Sequence, residues 1–159
     1  MAEPGFTTSL WFDGQAEEAA RFYVSVFPDS TLGPVTRYTE AGPGEPGTVV
    51  TAEFTANGQR FVGINGGPDF TFSEAISFQI GCADQAEVDH YWSVLSEGGS
   101  EGPCGWLKDR FGLSWQVVPT VMPELIGGPD QEGANRAMTA MLSMKKLDIA
   151  ALRKAYEGG

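Results

Sequence analysis

An internal repeat is the sequence feature that most restricts how this chain can fold. The tripeptide Gln15–Glu17 recurs as Gln85–Glu87, and the aromatic run at 22–27 is echoed at 91–95. Each copy lies in a predicted helix that follows a strand and precedes a hairpin, so each half is predicted to be one unit of strand, helix and further strands. One helix beside several strands in each unit is typical of an α+β fold.

The predicted strands are short runs with alternating apolar and polar residues, separated by turn residues. Asn57-Gly58 is the strongest hairpin signal, Gly33-Pro34 interrupts one strand, and the segment 109–112 is predicted to reverse the chain. Residues 66–74 form a predicted loop. The predicted strands are Phe6–Phe12, Ser30–Glu40, Thr48–Ala56, Gln59–Asn65, Ala75–Cys82, Gly105–Lys108 and Leu113–Val118.

Aspartates precede the predicted helices and are candidate N-caps, since their carboxylates can accept from free backbone amides of the first turn. The candidates are Asp13, Asp84 with Glu87 in a capping box, Asp130 and Asp148. The helix predicted over residues 131–144 has an apolar, Met-rich stripe that suits a core or a subunit contact. The stripe consists of Ala134, Ala137, Met138, Met141 and Leu142.

Charge and composition exclude several classes of partner. The formal net charge of −11 disfavours nucleic acid and anionic membranes, which both require a basic surface. No apolar run is long enough to cross a bilayer, and the first five residues have no secretory signal, so a cytoplasmic protein is expected. Cys82 and Cys104 are then predicted to be free thiols rather than a disulfide.

Five segments of the sequence stand out as motifs: Leu10–Ala19, Asn57–Phe61, Asn65–Pro68, Ala75–Phe78 and Cys104–Gln116. Together they resemble PhnB-like proteins of the vicinal oxygen chelate superfamily, alongside glyoxalase I and bleomycin-resistance proteins. The resemblance covers nearly all of residues 6–157.

This resemblance implies a single domain over residues 1–159, built from two βαβββ modules whose sheets curl around a cavity. The first module spans 6–68, a shortened second module spans 75–119, and 120–159 form a helical extension. It also implies a homodimer. Members often carry the label 3-demethylubiquinone-9 3-methyltransferase, but the sequence contains no Gly-rich nucleotide-binding turn in a βαβ setting.

Metal enzymes of the superfamily carry His or Glu at four strand positions. Motif alignment places those positions at Thr8, Gly63, Ser77 and Gln116, none of which is anionic or an imidazole. Neutral oxygen ligands of this kind bind a divalent metal poorly. The only histidine, His90, lies in the second predicted helix. We therefore expect no metal and no cofactor.

A cavity lined by hydroxyls, amides and aromatic rings is the remaining candidate site. In the last predicted strand, Leu113, Trp115 and Val117 point one way, while Ser114 and Gln116 point the other. The candidate ligand-binding residues are Thr8, Asn65, Ser77, Gln79, Trp106, Lys108, Ser114 and Gln116.

Two residues of the predicted strands, Glu53 and Lys108, are candidates for a catalytic role. Glu53 alternates with Thr51 and Thr55 and is either a general base or an exposed carboxylate. Lys108 either holds an anionic group or is a solvated strand residue.

Two function classes remain open. The first is a metal-independent module that binds a small organic molecule. The second is an enzyme of the superfamily, an isomerase, lyase or group transferase, that acts on a small substrate through Glu53 or Lys108.

Overall fold

The computed structural model describes residues 2–159, and the chain divides into two compact units. The first unit ends at Thr71 and the second spans Phe72–Gly159. Among the described residues, no helix combines the length and the apolar character needed to cross a bilayer.

The first unit has the element order βαβββ. It contains β1 (Thr8–Phe12), α1 (Ala16–Val26), β2 (Thr31–Arg37), β3 (Val49–Ala56) and β4 (Gln59–Asn65). The sheet order is β1-β4-β3-β2, in which β1 and β4 are parallel and the other neighbours are antiparallel. The parallel pair exists because α1 and the hairpins after it carry the chain across the sheet before β4 returns beside β1.

One face of this sheet packs on α1. A Cβ at Gly63 would lie 3.0 Å from the Cβ of Ala16, so glycine permits the close approach of helix and sheet. The ring of Tyr23 stacks on Phe54 at 5.9 Å, and Phe54 stacks on Phe61 at 5.1 Å. The buried residues of this core are Leu10, Phe12, Ala16, Ala19, Ala20, Tyr23, Phe27, Ala52, Phe54, Ala56 and Phe61.

Two turn predictions for this unit are confirmed. The pairing of β2 with β3 shifts register between Leu32 and Val35, at Gly33-Pro34, because proline cannot donate to the ladder. Asn57 and Gly58 both have positive φ, 51° and 76°, as a type I′ turn requires, and they join the paired residues Ala56 and Gln59.

The second unit begins with the same arrangement. It contains β5 (Ser77–Cys82), α2 (Gln85–Ser96), β6 (Ser100–Glu101), β7 (Trp106–Lys108) and β8 (Ser114–Pro119). The sheet order is β5-β8-β7-β6, with β5 and β8 parallel. Element for element this repeats the first unit, so the predicted α+β class and the two βαβββ modules are confirmed.

Three of the four predicted helix caps are confirmed. Asp84, Asp130 and Asp148 each accept a hydrogen bond from the backbone amide three residues later, at 2.9–3.1 Å. The prediction for Asp13 is wrong: α1 begins after Gln15 and has no cap from its own segment. The acceptor for its first amide is the side chain of Asn65, which comes from β4.

Three helices complete the second unit: α3 (Met122–Ile126), α4 (Gln131–Leu142) and α5 (Ile149–Glu157). Of the stripe predicted on α4, Ala134 and Ala137 are buried, whereas Met138 and Leu142 are exposed. The helices pack around Met122, Leu125, Ala137, Leu147 and Leu152.

Candidate functional site

The second sheet has one face packed on α2 and one face with a polar row. Ser77 pairs with Ser114, Ser114 with Lys108, and Lys108 with Ser100, so these four residues cross all four strands. Directly paired residues of a sheet point to the same face. We call Ser77, Ser114, Lys108 and Ser100 the serine–lysine row. On β7 and β8 the residues of the opposite face, Leu107, Trp115 and Val117, are buried.

A second row lies on the same open face. It consists of Gln79, Gln116 and Trp106, which are paired across β5, β8 and β7. The Nε2 of Gln116 donates to the Oγ of Ser77 at 2.9 Å, which ties the two rows together. The structure thus brings six of the eight predicted site residues onto one face: Ser77, Gln79, Trp106, Lys108, Ser114 and Gln116.

Ser114 is the unusual member of the serine–lysine row. Its side chain is only 1% exposed, and its Oγ has no hydrogen-bond partner within the described chain. A buried hydroxyl without a partner costs roughly 1–3 kcal/mol relative to a paired one. A ligand atom that accepts from or donates to this hydroxyl would remove that cost.

Lys108, next to Ser114, forms an ion pair with the carboxylate of Glu74 from the loop before β5. The hydrogen bond from Lys108 lowers the pKa of the Glu74 carboxyl below its ordinary value, and the ammonium charge adds to this effect. Glu74 is therefore ionised at neutral pH and is held against the row.

A groove of about 560 Å³ lies over this end of the open face. It contains aromatic, cationic and hydroxyl groups and falls in the size range of ligand sites. Its lining residues are Glu74, Ser100, Glu101, Gly102, Pro103, Cys104, Trp106, Leu107, Lys108 and Ser114. A smaller, mainly apolar depression of about 380 Å³ lies at the other end, between Gln79 and α3.

Two predicted site residues of the first unit have structural contacts. Thr8 pairs with Phe61 and shares its face with Leu10 and Phe12, so it lies on the side covered by α1. Its Oγ1 accepts from Gln59 at 3.1 Å. Asn65 accepts from the backbone amide of Ala16 and donates to the carbonyl of Val49, so both ends of its amide are used.

Glu53 lies on the other face of the first sheet, paired with Val62. It is exposed and lines a depression of about 390 Å³ together with Thr55 and Arg60. Its exposure does not provide the desolvated environment in which carboxylates become strong general bases.

The positions aligned to superfamily metal ligands do not fit a divalent ion. Thr8 and Gly63 lie on the α1 side of their sheet rather than on its other face. Ser77 and Gln116 do face outward, but they hydrogen-bond each other and offer only neutral oxygens. No group of three or more His, Cys, Asp or Glu residues within 2–159 could hold a metal ion.

Within the described chain, the histidine and the two cysteines have no surroundings that would activate them. His90 is exposed on α2, beside Tyr91. Cys82 and Cys104 are free thiols, as predicted. Burial, with the carboxylates of Glu87 and Asp84, raises the pKa of the Cys82 thiol to about 11, which makes it a poor nucleophile.

Sequence reasoning missed Glu74 and Ser100 as groove residues. Glu74 lies in a loop, where no periodicity reports direction, and Ser100 lies in a two-residue strand. The repeat could have located Ser100, because β6 corresponds to β2 of the first unit.

Comparison with known structures shows that the chain shares the glyoxalase/bleomycin-resistance fold. FosX, a fosfomycin resistance protein of Listeria monocytogenes in complex with Mn(II) and sulfate, aligns with a TM-score of 0.52 at 14% identity, over 78% of this chain and 95% of FosX. A protein from Pseudomonas aeruginosa aligns with a TM-score of 0.60 at 20% identity, over 74% of this chain and 98% of its own. At these identities the likeness concerns the fold alone.

The family is identified more closely by sequence. Residues 4–118 match the family model described as 3-demethylubiquinone-9 3-methyltransferase. A PhnB protein from Bacillus cereus, provisionally described by the same activity, is 39% identical over 72% of this chain and 98% of its own, with a TM-score of 0.64. A search of curated sequences finds no significant match. This chain belongs to the PhnB-like, 3-demethylubiquinone-9 3-methyltransferase family.

Proposed function

We propose that this PhnB-like protein binds a small organic molecule, without a metal, on the open face of its second sheet. The observation that carries the proposal is the buried Ser114 hydroxyl, which lacks a partner and lines the groove beside Lys108. A protein tolerates such a group where a bound molecule satisfies it.

The surroundings of Ser114 suit a molecule with an apolar part and a polar part. Trp106 offers a ring that is half-buried, and Lys108 and the serine hydroxyls offer hydrogen bonds. Small-molecule sites generally combine aromatic surface with a small number of polar groups that point toward the ligand.

Metal independence follows from the donor set at the aligned positions. Thr8, Ser77 and Gln116 offer only neutral oxygens, and those of Thr8 and Ser77 already accept hydrogen bonds from other side chains. Elemental analysis of purified protein should find no stoichiometric zinc, nickel, manganese or iron. About one such ion per chain that survives dialysis against a chelator would refute this part of the proposal.

Catalysis is the alternative, and the family description as a methyltransferase is the observation in its favour. The candidate groups support it weakly. Lys108 is ion-paired and 37% exposed in its side chain, unlike the desolvated lysines that act as nucleophiles. Mass spectrometry of candidate small molecules after incubation with the protein separates the two: unchanged ligands favour binding, and a protein-dependent product favours an enzyme.

The decisive experiment for binding is a thermal-shift screen with a small-molecule panel, followed by titration of each hit with wild type, Ser114→Ala and Ser93→Ala. Ligand at about 100 times its Kd stabilises the folded state by about 2.7 kcal/mol. Ser114→Ala should not lower the melting temperature of the free protein, because it removes an unpaired buried hydroxyl, yet it should weaken binding about tenfold.

Ser93 is exposed on α2 and provides the matched control. A panel without any hit, or hits whose affinity is the same in wild type and Ser114→Ala, would contradict binding at this groove.

The expected homodimer is also part of the proposal, together with a cytoplasmic location. The exposed Met138 and Leu142 lie one turn apart on α4 and give apolar surface that a second copy would cover. Light scattering at micromolar concentration should give twice the chain mass of 17.0 kDa. A monomer there would contradict it.

A further inference from the structure

We propose that the groove selects a ligand with a single carboxylate on a flat apolar body, and that Glu74 occupies the carboxylate position until the ligand displaces it. This inference rests on the proposed function and names the class of ligand.

Glu74 itself is the first argument. Its carboxylate is bound by the ammonium of Lys108 at the edge of the groove, and it belongs to a loop rather than to the sheet. The side chain of Glu74 is 61% exposed, so little packing holds it in place. A carboxylate of the chain therefore marks a position that a carboxylate of a ligand can take.

The serine–lysine row provides further donors at that position. Ser114 and Ser100 are the direct cross-strand partners of Lys108, one on each side. Paired residues of antiparallel strands have Cα atoms roughly 4.5–5.5 Å apart, which brings both hydroxyls within reach of an anion bound at Lys108. The hydroxyl of Ser114 can donate to such an anion and thereby gain the partner that it lacks.

Charge limits the ligand to a single negative charge. Lys108 is the only cation among the described residues that line the groove, and Glu74 and Glu101 both contribute carboxylates. The chain as a whole carries a formal net charge of −11. A dianionic phosphate would face this excess of negative charge with one ammonium, whereas a carboxylate that replaces Glu74 at Lys108 restores the existing pairing.

The flat apolar body is inferred from Trp106, which lies two residues before Lys108 on the same face and lines the same groove. An indole ring offers a flat surface on which an aromatic ring can stack. Carboxylate and ring would thus contact adjacent residues of one strand face.

The test is isothermal titration with three probes: 2-naphthoate, its neutral amide 2-naphthamide, and inorganic phosphate. The proteins are wild type, Glu74→Gln, Lys108→Gln, Lys108→Arg and Asp89→Asn. Asp89 is the matched control, because its carboxylate forms an exposed ion pair with Lys146 on the same unit, outside the groove residues.

We expect Glu74→Gln to bind 2-naphthoate about tenfold more tightly than wild type, since the internal competitor is gone. Asp89→Asn should stay within about twofold of wild type. Lys108→Gln should lose at least tenfold, and Lys108→Arg should recover most of that loss. The affinity for 2-naphthamide should change little between wild type and Glu74→Gln.

Four outcomes would overturn the inference. The first is equal binding of naphthoate and naphthamide by Glu74→Gln, in which case small-molecule binding itself stands. The second is an equal gain in Glu74→Gln and Asp89→Asn, which would be a general effect of net charge. The third is tighter binding of phosphate than of naphthoate. The fourth is no binding of naphthoate by any variant; if the broad panel also gives no hit, the proposed function fails with it.

Discussion

Asn65 caps α1 from a strand that lies 49 residues further along the chain: its Oδ1 accepts from the backbone amide of Ala16 at 2.9 Å. Its Nδ2 donates to the carbonyl of Val49 at 3.1 Å. One side chain of β4 therefore fixes both the first turn of α1 and the first residue of β3.

Replacement of Asn65 should destabilise the first unit. Asn65→Ala removes a helix cap and leaves the Val49 carbonyl without this donor, so we expect a loss of about 1–2 kcal/mol in the free energy of unfolding. Asn65→Asp keeps the acceptor for Ala16 and should lose less. Urea unfolding followed by circular dichroism measures both changes.

Asp13→Ala is the matched control, because Asp13 is exposed before α1 and does not cap it. It should change the free energy of unfolding by less than about 0.5 kcal/mol. A larger loss for Asp13→Ala than for Asn65→Ala would contradict the assignment of the cap.

A buried carboxylate should hold the turn between β7 and β8. Asp109 is 2% exposed and accepts from the backbone amides of Phe111 and Leu113 and from the indole Nε1 of Trp115, at 2.8–3.1 Å. Asp109→Ala removes three bonds to a charged acceptor, so we expect a loss of about 3 kcal/mol or more.

The same assignment can be checked from the partner side. Trp115→Phe should cost less than Asp109→Ala, because only the indole bond is lost and most of the ring remains. Urea titrations of both variants decide the order. A cost for Asp109→Ala below that of Trp115→Phe would show that the carboxylate does not hold the turn.

The helix caps show what sequence alone could and could not predict. The caps at Asp84, Asp130 and Asp148 are local, since donor and acceptor lie three residues apart, and a pattern in the sequence reveals them. The cap of α1 comes from Asn65, and only the folded sheet brings that side chain to the helix. Asp13 is a residue type that often caps helices, but it lies too far before the first residue of α1 to cap it.

The facing of strands was predictable wherever the alternation was unbroken. On β8 the apolar residues Trp115 and Val117 are buried, and Gln116 between them faces outward, as a period of two requires. The side that Gly63 faces is set by its approach to Ala16 of α1, and a shift of one residue along a strand would move a position to the opposite face of the sheet. Ion pairs such as Lys108 with Glu74 depend on a loop path that no periodicity encodes.

The two cysteines should differ in reactivity with a thiol reagent. Cys82 is fully buried, and its raised pKa of about 11 keeps the thiol neutral at pH 8, whereas Cys104 is partly exposed. A disulfide reagent such as dithiobis(nitrobenzoate) should therefore modify one thiol per native chain at pH 8 and two after unfolding. Cys104→Ser should abolish the fast reaction. Rapid modification of Cys82 in native Cys104→Ser would contradict this.

Stability should also fall in alkali because of Cys82. Its folded-state pKa of about 11 lies above the ordinary value of 9.0, so the folded state is favoured fully below pH 9. The unfolded thiol ionises above pH 9 while the folded one stays neutral, and roughly 2–3 kcal/mol is lost as the pH rises to about 11. Urea titrations at pH 8 and 10.5 should show a smaller decrease for Cys82→Ala than for wild type, and equal decreases would contradict the assignment.

Gln116 is the residue at which a structural and a ligand-binding role can be separated. It is half-buried on the open face of β8, and its amide donates to the Oγ of Ser77 at 2.9 Å. Its direct partner on β7 is Trp106, which lines the groove. We propose that this amide, held by Ser77 beside the ring, orients a bound molecule.

Gln116→Leu should therefore fold with a melting temperature close to that of wild type and bind a ligand from the thermal-shift panel about tenfold more weakly, as the loss of one hydrogen bond allows. Ser77→Ala removes the hydrogen-bond partner of Gln116 but leaves the Gln116 amide in place, so it should weaken binding less than Gln116→Leu. Gln131→Leu, an exposed substitution of the same type on α4, controls for the change from amide to leucine. Unchanged affinity beside a lowered melting temperature in Gln116→Leu would make the amide purely structural, because its only effect would then be the lost bond to Ser77.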